Sequence, residues 1–296
     1  PLPHDNDALD ISLTVSGMLG AHPVPLLQTM RKTVVDGSNT SGFQRTTLVA
    51  TNGVLETDGG PVGIDVLCLE EDSARKLDSE LTPTGEVVTW NLDRLGIPLI
   101  EIATAPDVKT PDHAKQTSIA LGRTLRDTRR VRRGLGSIRQ DLNVSIMCGD
   151  RVEIKGCQDL EWIPRIIRCE MARQLHFYRL ANQLRTMHGL PSLPSDRREE
   201  SESITDQVTE LLPIKLVDVS SEFASCEAKR VKQGLADNSV MLALPLQGFS
   251  GLIGTKEFDA DGAQMPRLGR ELAGAAKLAG VAGVYHSDEL PAYGIE

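Results

Sequence analysis

Apolar and polar residues change their period several times along this chain, and each change marks a predicted element. Apolar positions between Asp7 and Leu19 predict a first helix. After Met30 come short strand-like runs separated by glycines, among them Thr46–Thr51 and Val62–Leu69. Thr110-Pro111-Asp112 has the cap, first-turn proline and acidic residue of a helix start, and the helix is expected to run to about Arg133, with cations gathering where the macrodipole favours them. A second long helix is predicted from Leu160 to Met187, with Pro164 tolerated in its first turn and His188-Gly189 closing it.

Between these helices, Ser137 to Lys155 alternates instead. Ile138, Leu142, Val144 and Ile146 share one face, and Arg139, Asp141, Asn143 and Ser145 share the other. A two-residue turn would mix the faces, whereas a three-residue loop, Cys148-Gly149-Asp150, sets Ile146 opposite Val152 and Val144 opposite Ile154. The predicted antiparallel hairpin then presents Asn143 opposite Lys155 and Ser145 opposite Glu153, either as a ligand-binding wall or as a solvated outer face. Further on, Leu216–Val219 and Val240–Leu246 read as strands and Arg267–Leu278 as a helix of a compact α/β unit. The run from Leu190 to Ser203, rich in proline, serine and charge, breaks the pattern and marks a domain junction. We expect a first domain over 1–190, a linker over 191–210 and a second domain over 211–296.

The 296 residues suffice for two domains. With 32 basic and 41 acidic side chains the net charge is −9, so nonspecific attraction to nucleic acid is disfavoured and any polyanion must meet a local basic patch. Aromatics are only 3%, too few for a surface that stacks many unpaired bases, so RNA binding would rest on shape and phosphate contacts. The five cysteines are odd in number and widely spaced, which argues against a disulfide framework or zinc knuckle and for a reducing cytoplasm. No membrane-length apolar run or signal sequence is present. The chain begins at Pro1 and reads as an internal segment of a longer protein, so part of its site is expected outside it.

There is no Walker-type loop, no His-Glu-x-x-His and no Gly-x-Ser-x-Gly, and Gly134-Leu135-Gly136 lacks the strand-to-helix context of a dinucleotide site. The positive signals are three. Glu70-Glu71-Asp72 and Glu101 follow apolar runs, where a carboxylate needs a cation or hydrogen-bond donors; hard oxygens from separated strands suit Mg²⁺, although Glu-Glu-Asp can equally open a solvated helix. Seven arginines, Arg123, Arg126, Arg129, Arg130, Arg132, Arg133 and Arg139, point to phosphate or to a dipole-matched solvent face. The loop from Asp36 to Arg45 could turn backbone amides toward an anion, or be only a tight loop. His286-Ser-Asp-Glu289 is read as a solvated turn.

Six ordered motifs carry a resemblance: Arg31-Lys32, Asp36-Gly-Ser-Asn-Thr-Ser-Gly-Phe-Gln-Arg-Thr46, Cys68-Leu-Glu-Glu-Asp72, Pro98-Leu-Ile-Glu-Ile102, Gly136-Ser-Ile-Arg-Gln-Asp-Leu-Asn-Val-Ser145 and Val152-Glu-Ile-Lys155. Together they resemble the GatB/GatE family of tRNA-dependent glutamyl-tRNA(Gln) amidotransferases, which comprises archaeal GatE and bacterial GatB. The later segment, through Gly248–Gly254 and His286–Gly294, resembles the aspartyl-tRNA-synthetase-type insertion of the GatE branch. The resemblance implies an α+β fold, with a cradle-like antiparallel-sheet catalytic domain related to glutamine synthetase and guanido kinases plus a smaller α/β insertion domain. It implies a cytoplasmic ligase that uses ATP and Mg²⁺ to phosphorylate the glutamyl carboxylate of mischarged tRNA(Gln), then amidates it with ammonia from an asparaginase-like D-type subunit; no membrane and no DNA are expected as partners. By motif position, Glu71 and Glu101 become the metal ligands and Arg31, Lys32, Ser41 and Arg45 the nucleotide-binding residues. Arg139, Asp141, Asn143, Glu153 and Lys155 form the catalytic wall, with Arg139 and Lys155 toward phosphate. Where bacterial GatB has an acidic pair before its Gly-Ser, this chain has Leu135-Gly136-Ser137, so no ligand is transferred there. The alternatives are a non-catalytic tRNA-binding module and a small-molecule carboxylate kinase or ligase.

Overall fold

A computed structural model describes residues 3–83, 85–134, 136–200, 206–208, 210, 215–256, 258, 262 and 265–295. The chain divides into two compact units, Pro1–Leu142 with Ile154–Ile166, and Asn143–Glu153 with Ile167–Glu296. Both are built from helices and antiparallel strands, a mixed α+β architecture.

The first unit opens with α1 (Asn6–Met18), capped by Asp5, whose carboxylate accepts from the Ala8 amide at 2.8 Å. Next come β1 (His22–Pro23), β2 (Thr29–Thr33), β3 (Phe43–Leu55), β4 (Val62–Glu71), the hairpin of β5 (Arg75–Thr82) with β6 (Gly85–Asn91), and β7 (Pro98–Thr104). β1 and β2 both pair with the outer edge of β3; β3 pairs with β4 and β4 with β7, completing a five-stranded antiparallel sheet. Helix α2 (Pro111–Asp127) joins α1 over one face of this sheet, and Val15, Leu19, Ala50, Ile64, Leu67 and Leu69 form the core, with Ile100, Ile102 and Leu121 against it. Gly53 is needed where the chain leaving α1 crosses β3, because a Cβ there would lie 2.9 Å from both Ala21 Cβ and the Leu19 carbonyl.

Helix α2 ends sooner than its sequence predicts. The Thr128 hydroxyl turns back to the Leu125 carbonyl at 2.7 Å, and Arg129 adopts φ 57°, which stops helical propagation at Asp127. In the expected hairpin, β8 (Leu142–Val144) and β9 (Val152–Ile154) do pair, but residues 145–151 connect them in place of a three-residue loop. A glutamine explains the shortening. Gln174 accepts from the Ile146 amide and donates to the Val144 carbonyl, both at 3.1 Å, so it takes backbone groups a longer ladder would have used. Gly149 lies so close that a Cβ would meet Gln174 Oε1 at 2.2 Å.

Gln174 belongs to α3 (Ile163–Met187), which a short 3₁₀ turn, Leu160–Trp162, precedes. The proline-rich segment beyond α3 docks on it: Arg185 Nε donates to the Pro191 carbonyl at 2.6 Å and the Tyr178 hydroxyl to that of Leu193 at 3.1 Å. Residues 201–205 and 209 of the expected linker lie outside the described residues. Farther along the second unit, β10 (Val217–Asp218) pairs antiparallel with β11 (Leu242–Ala243), with α4 (Lys229–Ala236) between them in sequence and α5 (Leu268–Leu278) after them. Both strands are shorter than predicted. Phe223, Cys226, Val231 and Ile295 form the local core. All five cysteines are free thiols.

Candidate functional site

Strand alternation sorts the acidic motif residues onto two faces of the sheet. Glu70 lies opposite Leu99 and Thr46, and Cys68 lies opposite Glu101, so Cys68, Glu70 and Glu101 share the face away from the helices. Glu71 lies opposite Pro98, on the face of Leu69 and Ile100. Glu101 is therefore brought together with Glu70 and not with Glu71.

On the first face, Glu70 accepts from the Thr46 hydroxyl at 2.7 Å and from Gln44 Nε2 at 3.4 Å, with Lys32 Nζ 3.8 Å away. Lost hydration, followed by the charge of Glu70 and a hydrogen bond to it, pushes the Glu101 carboxyl up from its ordinary pKa; Lys32 and Lys155 oppose that rise. The adjacent pair offers hard oxygens to a cation. Cys68, beneath them, has its thiol pushed up to about 11, first by burial and then by Glu101 and Glu70.

On the second face Glu71 has a dedicated partner. Arg45 Nε donates to its carboxylate at 2.6 Å and the same guanidinium reaches it through Nη2. A cavity of about 450 Å³ opens beside this pair, lined also by Asp5 and Asn6 at the start of α1, Thr47 and Pro98. The other expected nucleotide-binding residues lie along β2 and the loop before β3. The Arg31 guanidinium stacks 5.2 Å from the Phe43 ring, and the Ser41 hydroxyl donates to the Phe43 carbonyl at 2.8 Å. Within that loop, Ser38 donates through its hydroxyl at 2.6 Å and its amide at 2.9 Å to Asp36, holding the Asp36 carboxyl below its ordinary pKa.

Asp72, the last member of the Glu70-Glu71-Asp72 cluster, pairs with arginines and organises the next layer. Its buried carboxylate takes Arg139 Nη2 at 2.9 Å, with Arg94 Nε at 3.8 Å, and Arg94 Nε also donates to the Ser73 carbonyl at 2.9 Å. Lys155 Nζ lies 3.4 Å from the Asp141 carboxylate, which also accepts from the Gly156 amide. Asn143 and Glu153 lie on the exposed face of the hairpin, as their alternation predicts. Glu70, one of the acidic cluster, becomes the partner of Glu101 because β4 continues through Glu71, and pairing with β7 puts Glu70, not Glu71, beside Glu101. Among the described residues no group of three or more His, Cys, Asp or Glu side chains is arranged to hold a metal.

Residues 1–262 match the GatB/GatE catalytic domain. The chain belongs to this family. Its relatives include the E-type glutamyl-tRNA(Gln) amidotransferase subunit of Methanocaldococcus jannaschii, 44% identical over 100% of this chain and 42% of that protein. Those of Methanosarcina acetivorans and Pyrococcus furiosus are 43% and 44% identical over 98% of this chain and 41% and 42% of theirs. The GatB/GatE chain described here thus spans about two fifths of the length of the curated relatives it matches. No helix among the described residues is long and apolar enough to cross a membrane.

Proposed function

We propose that the chain carries the ATP-dependent step converting glutamate esterified to tRNA(Gln) into glutamine. The reading rests on membership of the GatB/GatE catalytic domain, and the single structural observation that supports it is the placing of Glu70 and Glu101 together on one sheet face, with Lys32 beside Glu70. In this reading the γ-phosphoryl group of ATP passes to an oxygen of the glutamyl side-chain carboxylate, releasing ADP. Ammonia then attacks the carbonyl carbon of the acyl phosphate, inorganic phosphate departs, and the amide remains. Phosphoryl transfer of this kind asks the protein for positioning and positive charge more than for a covalent nucleophile.

Two adjacent carboxylates fit a Mg²⁺ site that leaves its other positions to water and phosphate oxygens. Glu101 and Glu70 would hold the ion, and when bound it would neutralise charge on the phosphoryl oxygens. Glu71, expected beside Glu101, serves instead to fix Arg45 at the cavity near α1. Arg139, held by Asp72, and Lys155, near both Asp141 and Glu101, would face phosphate. Of the four residues expected at the nucleotide, Lys32 lies beside Glu70 and would bind it there, with Ser41 in the loop before β3, whereas Arg31 and Arg45 lie on the opposite face of the sheet. The cradle domain would correspond to 1–190, joined by 191–210 to an aspartyl-tRNA-synthetase-type insertion at 211–296. An asparaginase-like subunit would supply the ammonia in the cytoplasm.

The test supplies the full-length protein with that amidohydrolase subunit, Glu-tRNA(Gln), ATP, Mg²⁺ and an amide donor, and measures Gln-tRNA. Formation of Gln-tRNA with tRNA-dependent ATP hydrolysis is expected. Binding of tRNA without such hydrolysis would identify a recognition module, and hydrolysis indifferent to tRNA a small-molecule carboxylate kinase; either result overturns the proposal.

A further inference from the structure

The arginines at the end of α2 and just beyond it are divided between structure and surface. Residues 123–133 hold six arginines and one carboxylate, Asp127, in a chain whose net charge is −9. Arg130 has a structural partner: it pairs with Asp10 on α1 and lies 3.8 Å from Asp7, which ties the end of α2 to the first helix. Arg123, Arg126, Arg129, Arg132 and Arg133 are exposed and form no ion pair among the described residues. Arg126 lies in the last turn, where the helix dipole favours a cation, but Arg132 and Arg133 lie beyond that turn.

Arg129 carries the second, independent observation. It immediately follows the Thr128 cap and takes φ 57°, the left-handed conformation that glycine or asparagine ordinarily supplies at a helix end. A long charged side chain is held there against backbone preference, with its charge left to solvent. Backbone strain of this kind directs attention to what the side chain does.

We infer that Arg129, Arg132 and Arg133, flanked by Arg123 and Arg126, form a docking surface for the sugar–phosphate backbone of folded RNA. The deduction rests on the proposed tRNA-dependent function and names where that substrate is gripped. Guanidinium groups suit phosphate bidentately. Stacking with unpaired bases is unsupported here, since no Phe, Tyr or Trp lies between Trp90 and Trp162 in the sequence. The arginines therefore hold the RNA by charge and shape, and the chemistry is left to groups elsewhere.

Labelled tRNA(Gln) is titrated with the full-length protein over a range of salt concentrations, using wild type, R129A/R132A/R133A, the corresponding triple lysine variant and R129G. The alanine variant should weaken binding by about 10–100-fold and flatten the log Kd against log salt plot by about one unit per lost phosphate contact. Its kcat at saturating tRNA should be unchanged, and the lysine variant should recover most of the salt slope. R129G should melt higher by roughly 1–4 °C, through relief of the left-handed arginine, yet bind tRNA more weakly. A purely structural arginine would lower both quantities together. Unchanged affinity and slope in the alanine variant of an active enzyme would overturn this inference alone, as would loss of amidohydrolase-subunit binding with tRNA affinity intact, which would make the surface a protein contact. Arginine-dependent tRNA binding by an enzyme that makes no Gln-tRNA would overturn the proposed function alone. A wild type that binds no tRNA would overturn both.

Discussion

On one face of β4 a carboxylate has an arginine of its own, whereas on the other two carboxylates lie side by side with lysines nearby. Glu70 and Glu71 are adjacent in sequence, yet strand alternation alone gives them these different surroundings. Glu71 with Arg45 is a closed arrangement: charge is matched and the guanidinium is oriented. Glu70 with Glu101 is an open one, in which two like charges in the same place favour a proton or a cation. A matched pair gives position, and an unmatched pair gives affinity for whatever supplies positive charge.

Neutralising the open pair should have the largest effect. Glu101→Gln or Glu70→Gln should lower tRNA-dependent ATP hydrolysis on the order of 10³-fold, the several kcal/mol lost when a metal no longer holds the phosphoryl oxygens. Glu71→Gln should cost less than about tenfold, as expected for a residue acting only through Arg45. Steady-state kinetics on the three variants rank them directly. An equal loss in Glu71→Gln would return that residue to the ligand set and undo the distinction between the faces.

Stability should separate the faces next. A double-mutant cycle of Arg45→Met and Glu71→Gln, followed by urea unfolding, should give a favourable coupling of about 1 kcal/mol for this partly exposed pair. The cycle of Glu70→Gln and Glu101→Gln should give an unfavourable coupling at neutral pH in metal-free buffer, because each single variant already relieves the other's charge. Favourable coupling of both pairs would mean that the second pair is also a structural contact.

Elements were legible where a side chain reports its own environment. The capped start of α2 and the apolar runs of β4 and into β7 are local signals, and the structure follows them closely. What failed to show in sequence depended on distant partners. No local rule places Gln174 of α3 against Val144 and Ile146, so the hairpin looked longer than it is. Nor does composition place Asp72 between Arg139 and Arg94, or turn Arg129 into a left-handed helix stop. The two carboxylates were visible as candidates, but which glutamate of the Glu70-Glu71 pair meets Glu101 is a matter of register, fixed only when β4 and β7 pair.

Acidity gives a smaller, directional effect. A carboxyl whose folded pKa lies above its ordinary value of 4.5 retains its proton longer when folded. As pH rises from about 4.5 the unfolded chain ionises first, so Glu101 makes stability decline until its folded carboxyl has also lost the proton. Glu101→Gln should remove that decline and melt higher than wild type at pH 7 in metal-free buffer, opposite in sign to its effect on activity. Melting temperatures of wild type and Glu101→Gln over pH 4–8 test this, and a wild-type-minus-variant difference that rises through the same window would contradict the raised pKa.

Cys68 reports on the same face with the finest resolution. Its thiol is pushed up to about 11, with burial the foremost cause and the Glu101 and Glu70 charges adding to it. The thiolate is the reacting species, so at pH 8 Cys68 should alkylate about 100-fold more slowly than the exposed Cys169. Because burial outranks charge, Glu101→Gln should speed the Cys68 reaction by less than about tenfold. Mass-resolved iodoacetamide labelling follows the two cysteines separately. A Cys68 rate equal to that of Cys169 would mean that water reaches the thiol beside the carboxylates. The size of the Glu101→Gln increment matters as well, since it measures how much of the Glu101 charge is felt by the residue directly opposite it across β4 and β7.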